Sequence, residues 1–318
     1  MKRGVPVIAL LLAIFYPVVF SSNFAINFAV LVLFAAFIGQ SWNLAGGFAG
    51  QLSFGHVVFF GVGAYTATIF QMKLGLSPWL ALPGAAVTGA MVGALIGVLS
   101  YRAGLRGSYF ALITLAFAEV FRILANSVGW TGGGLGMLIP LKPGAGNFQF
   151  PERIGFYYVI LALVALSILI AIWLTRSRFG GRLAAIRENE DAARALGVDT
   201  FREKVKIMML SGALGGMGGT FYAQYFLYID PSIAFGVDRS VEMLLVTMIG
   251  GAGTVYGPLI GAILLTSVGE LARIFTEAPG LSLIIYGALL VAVIAFLPNG
   301  VIALFNRGLN RARVKRHA

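Results

Sequence analysis

RSRFGGRLAAIRENEDAARALGVDTFREKVK, residues 176–206, is the one long hydrophilic run between the two termini of this chain. This hydrophilic segment holds eight Lys/Arg and five Asp/Glu residues, whereas the whole chain is 59% hydrophobic and only 11% charged. In a soluble globular domain about a quarter of the residues are charged. The composition therefore predicts an integral membrane protein, with the hydrophilic segment outside the bilayer.

Ten apolar segments surround the hydrophilic segment, and a helix needs about 20 apolar residues to cross a bilayer. The candidate spans are residues 5–20, 25–45, 52–72, 79–101, 108–126, 155–175, 205–228, 237–252, 257–275 and 283–305. Several are short or interrupted by glycine, so a re-entrant pair would leave eight spans. The sequence predicts an all-α polytopic membrane protein of about ten (eight to ten) transmembrane helices, forming a single domain over residues 1–318.

Positive charge is distributed unequally over the predicted loops. If the N-terminus lies inside and all ten segments cross, 17 Lys/Arg residues lie on the inner side and five on the outer side. Cytoplasmic loops of membrane proteins carry an excess of Lys and Arg. We therefore expect an uncleaved first span, cytoplasmic termini and a cytoplasmic hydrophilic segment. This orientation also explains the net charge of +11 without a nucleic-acid partner.

The residue inventory excludes several kinds of chemistry. The chain has no cysteine and only two histidines, His56 and His317, so it cannot build a cysteine or histidine metal cluster by itself. None of its six lysines follows a glycine or precedes Ser or Thr, so it lacks a phosphate-binding loop. We expect no catalytic residue, no metal and no cofactor in this chain.

Two glycine-rich stretches interrupt the apolar pattern: GGFAGQLSFGH, residues 46–56 (the first break), and IGGAGTVYGP, residues 249–258 (the second break). Irregular backbone at membrane depth is tolerated only when it is buried in protein or lines a wet cavity. The two breaks lie on opposite sides of the hydrophilic segment, which indicates a possible internal repeat. Most other glycines are expected to serve close helix packing.

Within the hydrophilic segment, residues 184–196 have the pattern of one short helix that ends at Gly197. Residues 198–206 then lead back into the bilayer. The Gly- and Pro-rich outer loop, residues 127–154, is expected to be irregular. It is either a docking surface for an external partner or a passive cap.

Five stretches in order resemble the M-type permease of branched-chain amino-acid ABC importers. They are AGQLSFGHVVFFGVGAYTAT (49–68), LRGSYFALITLAFAEVFRILANS (105–127), TGG (131–133), IRENEDAARALGV (186–198) and GGAGTVYGPLIGA (250–262). The resemblance extends from about residue 27 to 305. Asp191-Ala192-Ala193, Gly197 and Ile207 also follow the spacing of the E-A-A-x₃-G-x₉-I loop of ABC-importer permeases, although Asp replaces Glu and Met209-Leu210 replaces Leu-Pro.

The resemblance implies that residues 176–206 form a cytoplasmic loop whose short helix enters a cleft of an ATPase subunit. The implied coupling residues are Ile186, Arg187, Glu188, Asn189, Glu190, Asp191, Ala192, Ala193 and Gly197. The implied partners are a second, H-type permease subunit, two ATPase subunits that bind ATP and Mg²⁺, and an extracytoplasmic substrate-binding protein. The implied location is the bacterial cytoplasmic (inner) membrane.

A path for leucine, isoleucine and valine is expected to use polar and aromatic groups inside the spans. The candidates are Gln51, Ser53, Phe54, His56, Tyr109, Phe110, Thr114 and Glu119. Glu119 with Arg122, and Arg239 with Glu242, are spaced to pair on one helix face, either as neutralised structural pairs or as substrate ligands. The polar side chains either line the path or bond to nearby backbone.

Other functions remain open at this stage. The family's substrates extend to urea, short amides and other small carboxylates. An ion-coupled secondary transporter would use Glu119 or Glu242 as its ion site, and a passive channel is a third alternative. Neither a secondary transporter nor a channel needs a docking helix for an ATPase.

Overall fold

The structure is a computed structural model that describes the backbone of residues 4–275, 287–288 and 300–302, and side chains from residue 11 to 272 and in the two short pieces. Twelve α-helices form within these residues. They are α1 (Gly4–Val19), α2 (Asn23–Asn43), α3 (Val57–Met72), α4 (Pro78–Arg102), α5 (Gly107–Ser127), α6 (Arg153–Arg176), α7 (Arg178–Glu188), α8 (Glu190–Ala195), α9 (Thr200–Phe226), α10 (Pro231–Phe235), α11 (Val237–Gly250) and α12 (Gly257–Phe275). The all-helical, multi-pass fold is confirmed.

Each of the first nine predicted spans coincides with one of these helices, and the tenth, residues 283–305, lies largely outside the described residues. Among the described residues, four helices are long and apolar enough to cross a membrane: Asn23–Phe48, Pro78–Arg102, Gly107–Ser127 and Arg153–Arg176. The first of these includes a π-helical turn, Leu44–Phe48. The helix α3 is apolar but has only 16 residues, because it begins after the first glycine break.

Contacts between loops separate the molecule into two ends. At one end, which we name the inner end, Asn43 at the end of α2 accepts a hydrogen bond from the Gly253 amide at 2.8 Å. At the opposite, outer end, the Trp79 indole donates to the Ala145 carbonyl at 2.6 Å. There a two-stranded antiparallel sheet pairs β1 (Met137–Leu138) with β2 (Tyr228–Ile229). Loops on the same predicted side of the membrane therefore contact one another.

Small residues bring α3, α4 and α9 together in the core. A Cβ atom at Gly89 of α4 would collide with the carbonyl oxygen of Gly212 of α9, and the reverse also holds. A Cβ atom at Gly63 of α3 would likewise collide with the Gly216 carbonyl. Glycine lets the helix backbones approach to this distance. The packing interpretation of these glycines is confirmed.

Both glycine breaks are irregular, as predicted. Within the first break the π-helical turn ends at Phe48 and α3 begins only at Val57. Within the second break α11 ends at Gly250 and α12 begins at Gly257. Most of the first break is buried in protein, which meets the condition for irregular backbone in a membrane protein. The internal repeat itself stays a prediction.

The prediction of one helix over residues 184–196 is wrong. The segment forms two helices, α7 and α8, which meet at Asn189 in an extended conformation (φ −157°, ψ 107°). The Asn189 side-chain oxygen accepts the amides of Asp191 and Ala192 at 3.1 and 3.0 Å, so it caps α8 instead of continuing α7. The predicted stop at Gly197 is confirmed, since this residue has φ +85°.

The outer loop is irregular, with short 3₁₀ turns around residues 129–135 and 145–147. Phe148 of this loop is fully buried and stacks on Trp79 at 4.4 Å between ring centroids. The loop is therefore fixed to the start of α4. Whether it docks an external partner stays a prediction.

Candidate functional site

The hydrophilic segment is folded against the inner end through apolar anchors. Leu183 and Ile186 of α7 and Ala193 of α8 are buried in the main hydrophobic core. Ser177 caps α7 by accepting the Gly180 amide at 3.1 Å. Two of the predicted coupling residues, Ile186 and Ala193, thus hold the segment in place rather than face outward.

A cluster of charges joins α8 to the rest of the protein. Glu190 accepts from Lys204 of α9 at 2.9 Å and from Arg194 at 3.2 Å, and Arg106, from the α4–α5 loop, lies 3.5 Å away. Arg106 also donates to both oxygens of Asp191, at 3.0 and 3.1 Å. Glu190 and Asp191 therefore bind their own chain.

The cation at the centre of this cluster is Lys204, whose side chain is only 4% exposed. Burial lowers its pKa, while the hydrogen bond and charge of Glu190 oppose that shift. The Lys204 ammonium also lies 4.4 Å from the centroid of the Tyr101 ring. In contrast, the pKa of Arg106 is raised, first by its hydrogen bond to Asp191 and then by the charge of Glu190.

Arg187 of α7 points toward the first break. Its guanidinium Nη1 donates to the Gly47 carbonyl at 3.1 Å, and Nη2 donates to Glu188 at 3.2 Å. The Glu188 side chain is 76% exposed. Six of the predicted coupling residues are exposed, although some also bond within the chain: Arg187, Glu188, Asn189, Asp191, Ala192 and Gly197.

The exposed surface of the segment includes a small apolar group. Ala192, Ala195 and Leu196 are exposed at the end of α8, and we name them the exposed tip. Leu196 is 85% exposed. Ala195 and Leu196 were absent from the predicted coupling residues. The sequence feature that could have indicated this exposed tip is a leucine, Leu196, directly before Gly197, which ends the helix.

His56 lies in the core beside α2 and α9. Its Nε2 is 2.9 Å from the Ser211 hydroxyl and 3.3 Å from the Ser41 hydroxyl. Each serine hydroxyl donates its own proton to the backbone carbonyl of the other, at 2.8 and 2.6 Å. Since neither hydroxyl has a second proton to give, Nε2 of His56 must be the donor to both oxygens. His56 thereby braces the first break against two helices.

The other polar candidates of the first break bond mainly to backbone. Thr114 of α5 accepts the amides of Phe54 and Gly55 at 3.2 and 3.4 Å. The Gln51 side chain donates to the Ala49 carbonyl at 2.9 Å. Ser53 is buried, and its carbonyl accepts the Trp42 indole at 2.8 Å. These contacts satisfy groups that a broken helix leaves unpaired.

The remaining path candidates lie on α5. Phe110 is buried against Tyr101, whereas Tyr109 is 73% exposed. Glu119 and Arg122 pair through two hydrogen bonds, at 2.9 and 2.6 Å, on the exposed side of the helix. The structure therefore groups Gln51, Ser53, Phe54, His56 and Thr114 around the first break, and it leaves Tyr109 and Glu119 on an exposed face.

The second predicted pair also forms, with Arg239 donating to Glu242 at 2.6 Å. Sequence reasoning missed Asn43, which is fully buried and joins the two breaks. It accepts the Gly253 amide at 2.8 Å and donates to the Thr254 carbonyl at 2.9 Å. The available signal was an asparagine close to the end of an apolar span.

A cavity of about 390 Å³ lies between α3, α4 and α5, toward the outer end. Its walls include Val62, Ile69, Phe121, Leu124 and Phe235. The predicted path residues Phe54 and Phe110 do not line this cavity, and Phe110 is buried in packing. The cavity has room for an aliphatic group but few polar partners for a zwitterion.

Comparison with known proteins places these features in context. Residues 24–294 match the family described as "Branched-chain amino acid transport system / permease component". The chain is 31% identical to the high-affinity branched-chain amino acid transport system permease protein LivM of Escherichia coli (strain K12), over 95% of this chain and 76% of that protein.

More distant relatives include two further transport permeases. The chain is 27% identical to the probable branched-chain amino acid transport permease protein LivM of Methanocaldococcus jannaschii, over 70% of this chain and 67% of the relative. It is 24% identical to the LivH permease protein of Salmonella typhimurium, over 84% of this chain and 90% of the relative. No solved structure matches the chain.

Proposed function

This chain belongs to the family of permease components of branched-chain amino acid ABC transport systems, and we propose that it supplies half of the membrane path of an importer for leucine, isoleucine and valine. In this proposal it works by alternating access in the bacterial inner membrane, with both termini in the cytoplasm. An H-type permease subunit supplies the other half of the path. Two ATPase subunits bind ATP and Mg²⁺, and an extracytoplasmic binding protein delivers the substrate.

The observation that carries this proposal is the folded hydrophilic segment. Buried anchors and the Glu190 cluster attach α7 and α8 to the inner end, and the exposed tip presents Leu196 to the outside. An exposed apolar tip on the same segment as the exposed charges of Glu188 and Asp191 has the composition of a protein-binding surface. We assign it to the ATPase subunit.

The exposed face of α5 supports a location for the substrate path. Glu119 and Arg122 form an ion pair within a span, and such charges generally face a protein interior or a water-filled cavity rather than lipid. We place this face at the boundary with the second permease subunit.

Two alternatives differ from this proposal in driving force or in substrate. An ion-coupled carrier would need a carboxylate that is free to take up an ion, but Glu119 and Glu242 are each bonded to an arginine. Urea, short amides and other small carboxylates remain alternative substrates, and a competition experiment distinguishes them from leucine.

Reconstitution of the complete complex in proteoliposomes tests the function. We expect uptake of labelled leucine only with ATP and the binding protein, competition by isoleucine and valine, and none by urea or acetamide. An ionophore should leave the initial rate unchanged. Uptake by this chain alone, driven by an ion gradient without ATP, would contradict the proposal.

A further inference from the structure

One side chain of the hydrophilic segment touches both glycine breaks. Arg187 donates from Nη1 to the Gly47 carbonyl of the first break at 3.1 Å. A Cβ atom at Gly253 of the second break would lie 2.5 Å from the same Nη1. The guanidinium therefore fills the space between the two breaks, which are far apart in the sequence.

The aliphatic part of the Arg187 side chain also packs closely against the first break. A Cβ atom at Gly50 would lie 2.8 Å from Arg187 Cγ, so the arginine packs directly on the bare backbone of the first break. Gly50 and Gly253 also have positive φ angles of +68° and +74°, a conformation that favours glycine. Both the backbone angles and the side-chain contact thus require glycine at these two positions.

The two breaks are also bonded to each other, through Asn43. Its side chain holds the Gly253 amide and the Thr254 carbonyl, while a Cβ atom at Gly47 would meet both Asn43 Oδ1 and the Gly253 amide nitrogen. The junction of α2 with α3 and the junction of α11 with α12 therefore form one contact unit. Arg187 joins the α7 helix to this unit.

We infer that Arg187 is the positioning residue that carries a displacement of the hydrophilic segment to both breaks at once. The inference rests on the proposed function, in which the ATPase subunits grip that segment. The guanidinium is hydrogen-bonded to the backbone of the first break and packs against the backbone of the second. When α7 moves, the helix pairs on either side of the two breaks then turn together, which is the movement that alternating access requires.

The test uses the complete complex in lipid nanodiscs and in proteoliposomes, with three variants of this chain. Arg187→Met keeps the apolar stem and removes every donor, and Arg187→Lys restores the charge and a donating ammonium group without the planar guanidinium. Arg182→Met is the matched control, because Arg182 lies on the same helix but pairs with Glu203 of α9 at 3.3 Å and does not reach the breaks, and Glu203 keeps Lys206 as a partner at 3.3 Å. Hydrogen exchange is measured with and without ATP, and leucine uptake is measured per ATP hydrolysed.

For Arg187→Met we expect ATP hydrolysis to continue and the nucleotide-dependent change in exchange to persist over residues 184–196. The change at residues 46–56 and 249–258 should disappear, and the leucine moved per ATP should fall about tenfold, a usual size for coupling between sites. Arg187→Lys should recover part of the loss, and Arg182→Met should behave as the wild type.

The inference would be overturned if Arg187→Met moved as much leucine per ATP as the wild type. It would also be overturned if Arg182→Met lost as much leucine transport per ATP as Arg187→Met. Loss of nucleotide-dependent exchange over the whole hydrophilic segment would also overturn it, since Arg187 would then only support the local fold. The proposed function fails separately, if the wild-type complex hydrolyses ATP and moves no leucine. The exchange measurement still reports on Arg187 in that case.

Discussion

At the scale of single residues, contacts between neighbours on one helix could be predicted from the sequence, whereas contacts between distant residues could not. The pairs Glu119–Arg122 and Arg239–Glu242 follow from spacing along one helix turn, so the sequence alone predicted them. The bond between Asn43 and Gly253 joins residues 210 positions apart. No local pattern contains that information, which is why the meeting of the two breaks could not be predicted.

Leu196 provides the sharpest residue-scale prediction. Leu196→Glu places a charge on the exposed tip, and we expect the ATPase subunits to bind at least tenfold more weakly, since a buried unpaired charge at an interface costs about 2–5 kcal/mol. The measurement is retention of the ATPase subunits during purification in mild detergent, followed by titration of the purified subunits. The folded state should be unaffected because the side chain is 85% exposed.

Leu135→Glu is the control for that experiment, because Leu135 is 89% exposed in the outer loop at the opposite end. It should bind the ATPase subunits as the wild type does. Equal binding by Leu196→Glu and the wild type would show that the exposed tip does not dock the ATPase.

At the scale of elements, the length of the apolar segments predicted where the helices lie but not the residues at which they begin and end. The predicted span 52–72 begins as α3 only at Val57, because the Phe54 and Gly55 amides donate to Thr114 and the Ser53 carbonyl accepts the Trp42 indole in irregular conformations. The division of α7 from α8 was missed because Asn189 is compatible with a helical charge pattern. Instead, the Asn189 side chain caps α8, and this local bonding replaces a continuous helix.

The attachment of α8 makes a prediction about the Glu190 cluster. Glu190→Ala leaves the ammonium of Lys204 buried without its acceptor, and breaking such a pair costs about 3–5 kcal/mol. We expect faster hydrogen exchange and faster proteolysis across residues 189–199. Glu188→Ala is the control, since the Glu188 side chain is 76% exposed, and it should change neither rate by more than a small factor. Unchanged protection in Glu190→Ala would contradict the role of the cluster.

The packing of α4 on α9 gives a second prediction for elements. Gly212→Ala forces a Cβ atom against the Gly89 carbonyl, so the helices must separate, and we expect a lower midpoint of thermal unfolding in detergent. Gly181 of α7 has nothing within 4 Å of its Cβ position, and Gly181→Ala should stabilise its helix by about 0.5–1 kcal/mol. A stability ranking in the opposite order would show that close backbone contact does not hold α4 on α9.

At the scale of the whole molecule, two independent observations agree on the arrangement of the loops. Charge counting assigns 17 basic residues to one side of the membrane and five to the other. The structure brings the α4–α5 loop, the hydrophilic segment and both breaks together at the inner end. The basic residues at the two termini, counted with the inner side, lie outside the described residues. Alternation of the spans could be predicted from hydropathy and charge, whereas the joining of the loops into one unit depends on tertiary contacts.

The most direct test of the account is the side of the membrane on which the hydrophilic segment lies. The chain has no cysteine, so Leu196→Cys reports its own position when intact spheroplasts are treated with a membrane-impermeant thiol reagent, and Leu135→Cys reports the opposite end. We expect Leu135→Cys to be labelled at once, and Leu196→Cys to be labelled only after permeabilisation and to be protected when the ATPase subunits are bound. Labelling of Leu196→Cys in intact spheroplasts would contradict the account.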